Sequence, residues 1–99
     1  MFKSLFTIRK KKRDKHPRLI VGANRTSFKS MGITHSKKHS KRNNLKLHNN
    51  PNPDDKTQSY LRKEIIEDFK FRYSKAFKNY QLSNEDIEEL KRFLDEKKK

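Results

Sequence analysis

The chain has 99 residues, of which 29% are hydrophobic and 39% are charged, and its net charge is +15. This length allows one small domain, and the scarcity of apolar residues limits the size of its core. The absence of cysteine excludes disulfide bridges and thiolate metal sites, and no apolar stretch reaches membrane-spanning length. These features predict a cytoplasmic protein without a transmembrane segment.

The positive charge is concentrated in the first half of the sequence. Residues 1–53 contain 15 Lys and Arg against one acid, Asp14, whereas residues 54–99 contain 12 Lys and Arg against 11 acids. A chain polarised in this way presents a cationic region to a polyanionic partner. We expect nucleic acid as that partner, with RNA ahead of DNA, and an anionic membrane surface as the alternative.

Residues 1–15 begin with a short apolar stretch that is followed by five basic residues, Arg9–Arg13. The apolar stretch is too short for a signal-peptide core, and no small-residue cleavage site follows it. This pattern predicts a flexible basic arm, with a single small domain over residues 16–99. A basic segment that lies on anionic lipid is the alternative interpretation of the arm.

Residues 18–36 predict a β-hairpin. Leu19–Val21 is an apolar, β-branched run, and Met31 and Ile33 then alternate with small or polar residues. Between them, Asn24 tolerates the left-handed backbone that a tight connection needs. The hairpin is therefore expected to form a small apolar anchor within the basic half of the chain.

The next residues predict loops and short strands. Lys37–Asn44 has the composition of a loop, and Leu45–Leu47 is long enough for an edge strand. Asn49–Asp55 is the strongest turn signal, because two prolines each follow an asparagine. It divides a basic β half, residues 16–53, from a helical half, residues 54–99, in which Ser59–Lys63 is expected to return as a strand.

The stretch from Ile65 to Tyr80 has an ambiguous pattern. Its apolar residues recur at three- and four-residue steps, as in a helix, whereas Phe69, Phe71 and Tyr73 alternate as in a strand. We favour a helix over the later part and leave residues 64–73 open. Phe71 is the exception to the helical spacing. The aromatic side chains of this stretch can stack on bases, but in a chain with so few apolar residues they are expected to form the core: Phe69, Phe71, Tyr73, Phe77 and Tyr80.

The last element is predicted as a helix from Asn84 to about Lys97. Ser83 is a good N-cap with Asp86 three residues later, and Leu82 and Ile87 provide a flanking hydrophobic staple. Together these elements predict an α+β fold, in which a small antiparallel β-sheet carries C-terminal helices on one face.

The segment from Gly32 to Lys38 concentrates hydroxyl, imidazole and ammonium groups at the end of a predicted strand. Cleavage of RNA through its own 2′-hydroxyl needs a base, an acid and cations near the phosphorus, which His, Lys and Arg supply without a metal. The candidate catalytic residues are Thr34, His35, Ser36 and Lys37. The favoured alternative is that these residues contact phosphates without chemistry.

No metal or cofactor is predicted. His35 and His39 have a spacing that suits zinc on a helix, but their segment is expected to be strand and loop, and no cysteine or nearby acid completes a ligand set. The basic residues expected to contact phosphates are Arg9, Lys10, Lys11, Lys12, Arg13, Arg18, Arg25, Lys37, Lys38, Lys41, Arg42 and Lys46.

The middle third of the sequence resembles small basic proteins carried on bacterial mobile elements. The order His16-Pro17, apolar strand, turn, Gly32–Lys37 and Asn50–Pro53 is similar to toxin endoribonucleases of toxin–antitoxin systems, both the PemK/MazF type and the type III toxins. The resemblance implies a partial SH3-like barrel and an RNA-cutting groove that contains Thr34, Ser36 and Lys37. In this chain His35 separates the Thr and Ser that are adjacent in the type III pattern.

Nucleic-acid binding through the basic half is therefore the predicted function, and a metal-independent endoribonuclease is the alternative. RNA or another nucleic acid is the expected partner. The resemblance adds an antitoxin or a ribonucleoprotein as further possible partners.

Overall fold

The computed structural model describes residues 5–39 and 42–97. Five strands form one antiparallel sheet in the order β1-β2-β3-β7-β6, and β4 and β5 pair separately. The predicted α+β class is confirmed. The elements of the described chain are β1 (Ile8–Lys10), β2 (Pro17–Ala23), β3 (Ser27–Thr34), β4 (Lys38–His39), β5 (Arg42–Asn43), β6 (Leu45–Lys46), β7 (Tyr60–Phe69), a 3₁₀ helix (Lys70–Arg72) and α1 (Asn84–Lys97).

Strands β2 and β3 form the predicted hairpin in antiparallel register. The side chain of Asn24 fixes its turn, because Oδ1 accepts hydrogen bonds from the backbone N–H groups of Thr26 at 2.9 Å and Ser27 at 2.8 Å. Asn24 is not among the residues of the described chain with a left-handed backbone. The expected hairpin is therefore present, but Asn24 closes it through its amide oxygen and not through a positive φ.

Strand β1 corrects the prediction of a flexible arm over residues 1–15. Ile8 pairs with Leu19 of β2, and the Ile8 side chain is fully buried. Burial of this apolar side chain stabilises the paired strand relative to a solvated arm. Arg9 and Lys10 are consequently fixed to the sheet, while residues 1–4 lie outside the described part of the chain.

Strand β7 corrects the helix favoured over the later part of residues 65–80. The strand has 10 residues and is followed by the 3₁₀ helix, and residues 74–83 contain neither helix nor strand. Ile65 pairs with Met31 and Ile66 with Ser30, so adjacent isoleucines project to opposite faces of the sheet. Both faces carry apolar clusters, which favours the strand, and the described chain has one α-helix where several were expected.

Helix α1 confirms the predicted C-terminal helix and packs on the sheet through Leu90, which is buried. Ser83 Oγ accepts the backbone N–H of Asp86 at 3.3 Å, as expected of an N-cap. The Asp86 side chain is 2% exposed, and its carboxylate accepts hydrogen bonds from the backbone N–H groups of His48 at 2.7 Å and Asn49 at 3.2 Å. Asp86 therefore joins the start of the helix to the loop that follows β6.

The chain after the 3₁₀ helix returns along the free edge of β1. Lys11 and Tyr73 form an isolated antiparallel bridge, and Ser74 N–H donates to the backbone oxygen of Lys10 at 2.8 Å. The sheet is not closed into a barrel. The described part of the chain has no helix with the length and apolar character required to span a membrane.

Candidate nucleic-acid interface

Two large aromatic side chains lie on the surface where β7 ends. Phe69 is 52% exposed and Phe71 is 66% exposed, and their rings stack with a centroid distance of 5.6 Å and an interplanar angle of 26°. Exposed apolar side chains that lie next to one another point to an interaction site, whereas a single exposed apolar residue does not. We call Phe69 and Phe71 the aromatic platform.

Basic residues from opposite ends of the sequence surround the aromatic platform. A cavity of about 390 Å³ is lined by Phe71 and Arg72 together with Lys11, Lys12 and Arg13 of the β1–β2 connection. The backbone N–H of Lys12 donates to the backbone oxygen of Arg72 at 2.8 Å, which holds the two segments together. Three of the predicted phosphate-binding residues are thus brought next to an exposed aromatic ring.

Asp68 orders two of the cations at the platform. Its carboxylate lies 2.7 Å from Lys11 Nζ and 3.4 Å from Arg72 Nε. The hydrogen bond from Lys11 and the backbone N–H of Phe69 both hold the pKa of Asp68 below its ordinary value. Lys12 and Arg13 remain exposed, so the platform keeps an excess of positive charge.

The predicted catalytic segment lies at a second place, in a cleft of about 440 Å³ at the end of β3. Thr34, His35 and Ser36 line this cleft, which we call the end cleft, whereas Lys37 is exposed and is not among its lining residues. Thr34 Oγ1 accepts the backbone N–H of Ser36 at 3.2 Å. The structure thus places three of the four candidate residues around one concave surface.

The opposite walls of the end cleft add groups that the sequence did not single out. His16 lines the cleft, and Asp55 Oδ2 lies 3.4 Å from His35 Nε2. Hydrogen bonds from the backbone and side chain of Thr57 lower the pKa of Asp55, and the charge of His35 adds a smaller contribution. The cleft therefore contains two imidazoles, and a carboxylate is next to one of them.

Ser59 is a buried hydroxyl at the wall of the end cleft. It is 1% exposed, and its Oγ has no hydrogen-bond partner within the described part of the chain. Buried hydroxyls are normally hydrogen-bonded, because desolvation without a partner costs free energy. A polar ligand or a water molecule in the cleft would satisfy this group.

Arg18 lies on the face of the sheet opposite α1, since its strand neighbour Leu19 belongs to the core under the helix. Its Nε donates to Ser30 Oγ at 2.8 Å and its Nη2 to the Ser30 backbone oxygen at 3.2 Å. Ser30 Oγ is also 3.0 Å from the hydroxyl oxygen of Tyr73. Burial lowers the pKa of Arg18 from its ordinary value.

Arg9 makes internal contacts. Its Nη1 donates to the backbone oxygen of Ser74 at 3.2 Å, and its guanidinium lies 5.0 Å from the ring centroid of Phe28. Burial lowers its pKa. Arg9 therefore helps to attach the returning chain to β1, a structural role that its place in a basic run did not indicate.

The remaining predicted phosphate-binding residues are dispersed. Lys10 Nζ lies 3.5 Å from the Asp14 backbone oxygen, while Arg25 and Lys46 are exposed at the β2–β3 turn and on β6. Lys38 and Arg42 lie on the short strands β4 and β5, and Lys41 lies outside the described residues.

A separate donor set lies at the start of α1, where His48, Asp86 and Glu89 bring one ligand atom each to within 4.8 Å of one another. The Asp86 oxygens already accept backbone hydrogen bonds, and His48 Nε2 lies 2.9 Å from Glu89 Oε1. These contacts explain why the three side chains lie together: they connect the start of α1 to the loop that follows β6.

Sequence reasoning weighed base stacking for the aromatic side chains but favoured a place in the core, and this expectation is wrong for Phe69 and Phe71, which are exposed. Phe71 departs from the three- and four-residue spacing of the other apolar residues, and this departure was the signal for its exposure. His16 and Asp55 had no local signal, since their place in the end cleft depends on the pairing of distant segments.

Comparisons with protein-family models, with curated proteins and with solved structures give no match to this chain. A function is therefore proposed from the geometry of the aromatic platform, the end cleft and the surrounding cations.

Proposed function

We propose that this protein binds single-stranded nucleic acid, with RNA preferred, through the aromatic platform and the cations beside it. The observation that carries this proposal is the stacked, exposed pair of Phe69 and Phe71 next to a cavity lined by Lys11, Lys12 and Arg13. Proteins that bind single strands combine aromatic stacking surfaces with a cationic groove in this way. The net charge of +15 supports the same class of partner.

Each part of the platform has a separate task in this proposal. A base stacks on the exposed face of Phe71, while Lys12 and Arg13 contact the adjacent phosphates. Stacking on an aromatic side chain stabilises binding by about 1–3 kcal/mol per base. Arg72 lies 5.7 Å from the Phe71 ring centroid and adds positive charge beside the stacked base.

The stacking role is tested with Phe71→Leu and Phe71→Trp. Leucine keeps the apolar character but removes the ring, so binding of a labelled single-stranded RNA should weaken by about five-fold or more. Tryptophan keeps a stacking surface and should bind within about two-fold of the unmodified protein. Equal affinities for all three proteins in fluorescence anisotropy would refute the stacking role.

The cationic role is tested with the double variant Lys12→Gln/Arg13→Gln. Loss of one or two phosphate contacts should flatten the plot of log affinity against log salt by about 0.7 per contact. The matched control is Lys91→Gln/Arg92→Gln, which removes the same charge from the exposed side of α1. If both double variants change the slope equally, the effect comes from net charge and not from the platform.

A second candidate function is metal-independent cleavage of RNA, and it is favoured by the end cleft. His16 and His35 line the same cleft, Asp55 contacts His35, and Ser59 offers a hydroxyl without a partner in the described chain. In this reaction a base removes the proton of the 2′-hydroxyl, and the 2′-oxygen forms a bond to phosphorus. The bond from phosphorus to the 5′-oxygen breaks, and an acid returns a proton to that oxygen.

The two candidates are separated by incubation of the protein with labelled RNA in EDTA. Cleavage should give 2′,3′-cyclic phosphate ends, and His16→Ala or His35→Ala should then lower the rate by about 10²-fold with affinity within a few-fold. Retention of intact RNA would contradict the enzyme and leave the binding function. We rank nucleic-acid binding ahead of RNA cleavage, because stacking and phosphate contacts at the aromatic platform require no catalytic step.

The resemblance to toxin endoribonucleases stays a prediction, and with it the antitoxin or ribonucleoprotein partner and the partial SH3-like barrel. The barrel is supported by the chain that returns along β1, where Phe77 N–H donates to the Ile8 backbone oxygen at 2.8 Å. This is the place at which a closing strand would lie.

A further inference from the structure

Two arginines lie on either side of Gly32 on the face of the sheet opposite α1. A Cβ atom placed on Gly32 would lie 3.3 Å from Arg18 Nη1 and 3.5 Å from Arg62 Cδ. Arg18 is also the cross-strand partner of Gly32. The glycine thus leaves a shallow depression that has one guanidinium group at one side and the stem of Arg62 at the other.

The Arg18 side chain is held in place by one edge of its guanidinium. Nε and Nη2 both donate to Ser30, which is fully buried, and Ser30 Oγ contacts the hydroxyl of buried Tyr73. These contacts leave Nη1 directed toward Gly32. A fixed guanidinium with a free edge is prepared to donate hydrogen bonds to an anion without further ordering.

The charge of this pair is not neutralised by a contacting carboxylate. No Asp or Glu of the described residues lies within 4 Å of the charged nitrogens of Arg18 or Arg62. Burial lowers the pKa of Arg18, Tyr73 and Asp14 raise it by a smaller amount, and the like charge of Arg62 lowers it by less than either of them raises it. Two neighbouring cations of which one is half-buried are stabilised when an anion binds between them.

We infer that Arg18 and Arg62 form a phosphate subsite over Gly32, which takes one phosphodiester group of a bound nucleic acid strand. This inference rests on the proposed function and gives it a second contact point away from the aromatic platform. Arg18 Nη1 and the Arg62 guanidinium donate to the non-bridging oxygens, and the missing Cβ of Gly32 lets the phosphate approach the sheet.

The subsite is connected to both regions described above. Arg18 follows directly on His16 and Pro17, which line the end cleft. Ser30 links Arg18 to Tyr73, the residue after Arg72 at the aromatic platform. Residues that neighbour Arg18 in sequence or through Ser30 therefore belong to both regions.

Gly32→Ala and Arg62→Gln test the subsite, with Arg92→Gln on α1 as the control of equal charge. The Gly32 backbone does not have a positive φ, so alanine is tolerated by the backbone, but its methyl group occupies the depression and meets Arg18 Nη1. Each test variant should weaken binding of a labelled 12-nucleotide RNA about three- to ten-fold, and Arg62→Gln should also flatten the salt slope by about 0.7. Arg92→Gln should stay within about two-fold.

A probe without a base separates the subsite from the proposed function. Inorganic phosphate should shift the ¹⁵N–¹H signal of Arg18 Nε in the unmodified protein, and Gly32→Ala should abolish that shift. If RNA binds but both test variants behave like Arg92→Gln, the subsite is wrong and the binding function stands. If phosphate shifts the signal but RNA does not bind, the subsite stands and the proposed function fails. If neither ligand has an effect, both are wrong.

Discussion

Two aspartates organise two different regions of the molecule, the start of α1 and the aromatic platform. Asp86 is 2% exposed and accepts hydrogen bonds from two backbone N–H groups and from the Ser83 hydroxyl. Asp68 contacts two cationic side chains, Lys11 and Arg72. The buried Asp86 carboxylate accepts hydrogen bonds from fixed backbone donors. The Asp68 carboxylate at the aromatic platform instead restrains side chains that can also contact a ligand.

The comparison shows how a strongly cationic chain uses its few acids. An acid that pairs with backbone groups stabilises the fold in a way that salt does not screen, because the site is buried. An acid that pairs with surface cations contributes less to stability and tunes the charge presented to a partner. Substitution of Asp86 should therefore change stability more than binding, and substitution of Asp68 should change binding more than stability.

The largest effect is expected from Asp86→Ala. The backbone N–H groups of His48 and Asn49 lose a buried acceptor, so the free energy of unfolding should fall by about 3 kcal/mol. For a domain of this size, the melting temperature should fall by about 12 °C or more. Asp95→Ala, on the exposed side of the same helix, should change it by less than about 2 °C. Similar melting temperatures for the two variants would contradict the role assigned to Asp86.

Asp68→Asn should change binding more than stability. The substitution releases Lys11 and Arg72 to contact phosphate, so affinity for single-stranded RNA at low salt should rise a few-fold with a steeper salt dependence. Because the pKa of Asp68 is lowered in the folded protein, its contribution to stability is present above its unfolded pKa and is lost as pH falls through the folded value. The variant should therefore show a smaller loss of stability in acid. Weaker RNA binding would instead mean that Asp68 positions Lys11 for the ligand.

The smallest effect concerns His48 beside Asp86. The hydrogen bond to Glu89 raises the pKa of His48, and the charge of Glu89 adds to this. A raised folded pKa gives stability that is complete below the unfolded pKa, near 6.5, and is lost as pH rises through the folded pKa. As the pH rises from about 6.5 through the folded pKa of His48, the melting temperature of the unmodified protein should decline, and that of His48→Gln should not. A parallel decline in both proteins would assign the pH dependence to other groups.

The sequence predicted the parts of the fold that depend on local patterns. Alternation at Met31 and Ile33 identified β3, and the capping residues Ser83 and Asp86 identified the start of α1. Strand β1 was missed because Ile8 ends a short apolar stretch just before a basic run, and its burial depends on its pairing with Leu19. A local pattern does not reveal burial that depends on a distant partner.

The candidate site was predicted only in part for the same reason. Thr34, His35 and Ser36 are adjacent in the sequence, so their shared location at the end of β3 could be expected. The approach of Phe71 to Lys12 requires the chain after β7 to return along β1, which no spacing in the sequence indicates. The fixed position of Arg18 over Gly32 likewise depends on the register of β2 and β3.

The return of the chain along β1 also predicts an order of folding. The Lys10 backbone N–H bonds to Ser74 Oγ, 64 residues away in sequence, whereas β2 and β3 are joined by a short turn. Closure of so long a loop carries a large entropic cost, so the hairpin should form first and this edge late. During synthesis the basic first half is made before Phe71. The stacking surface is therefore completed after most of the positive charge has been made.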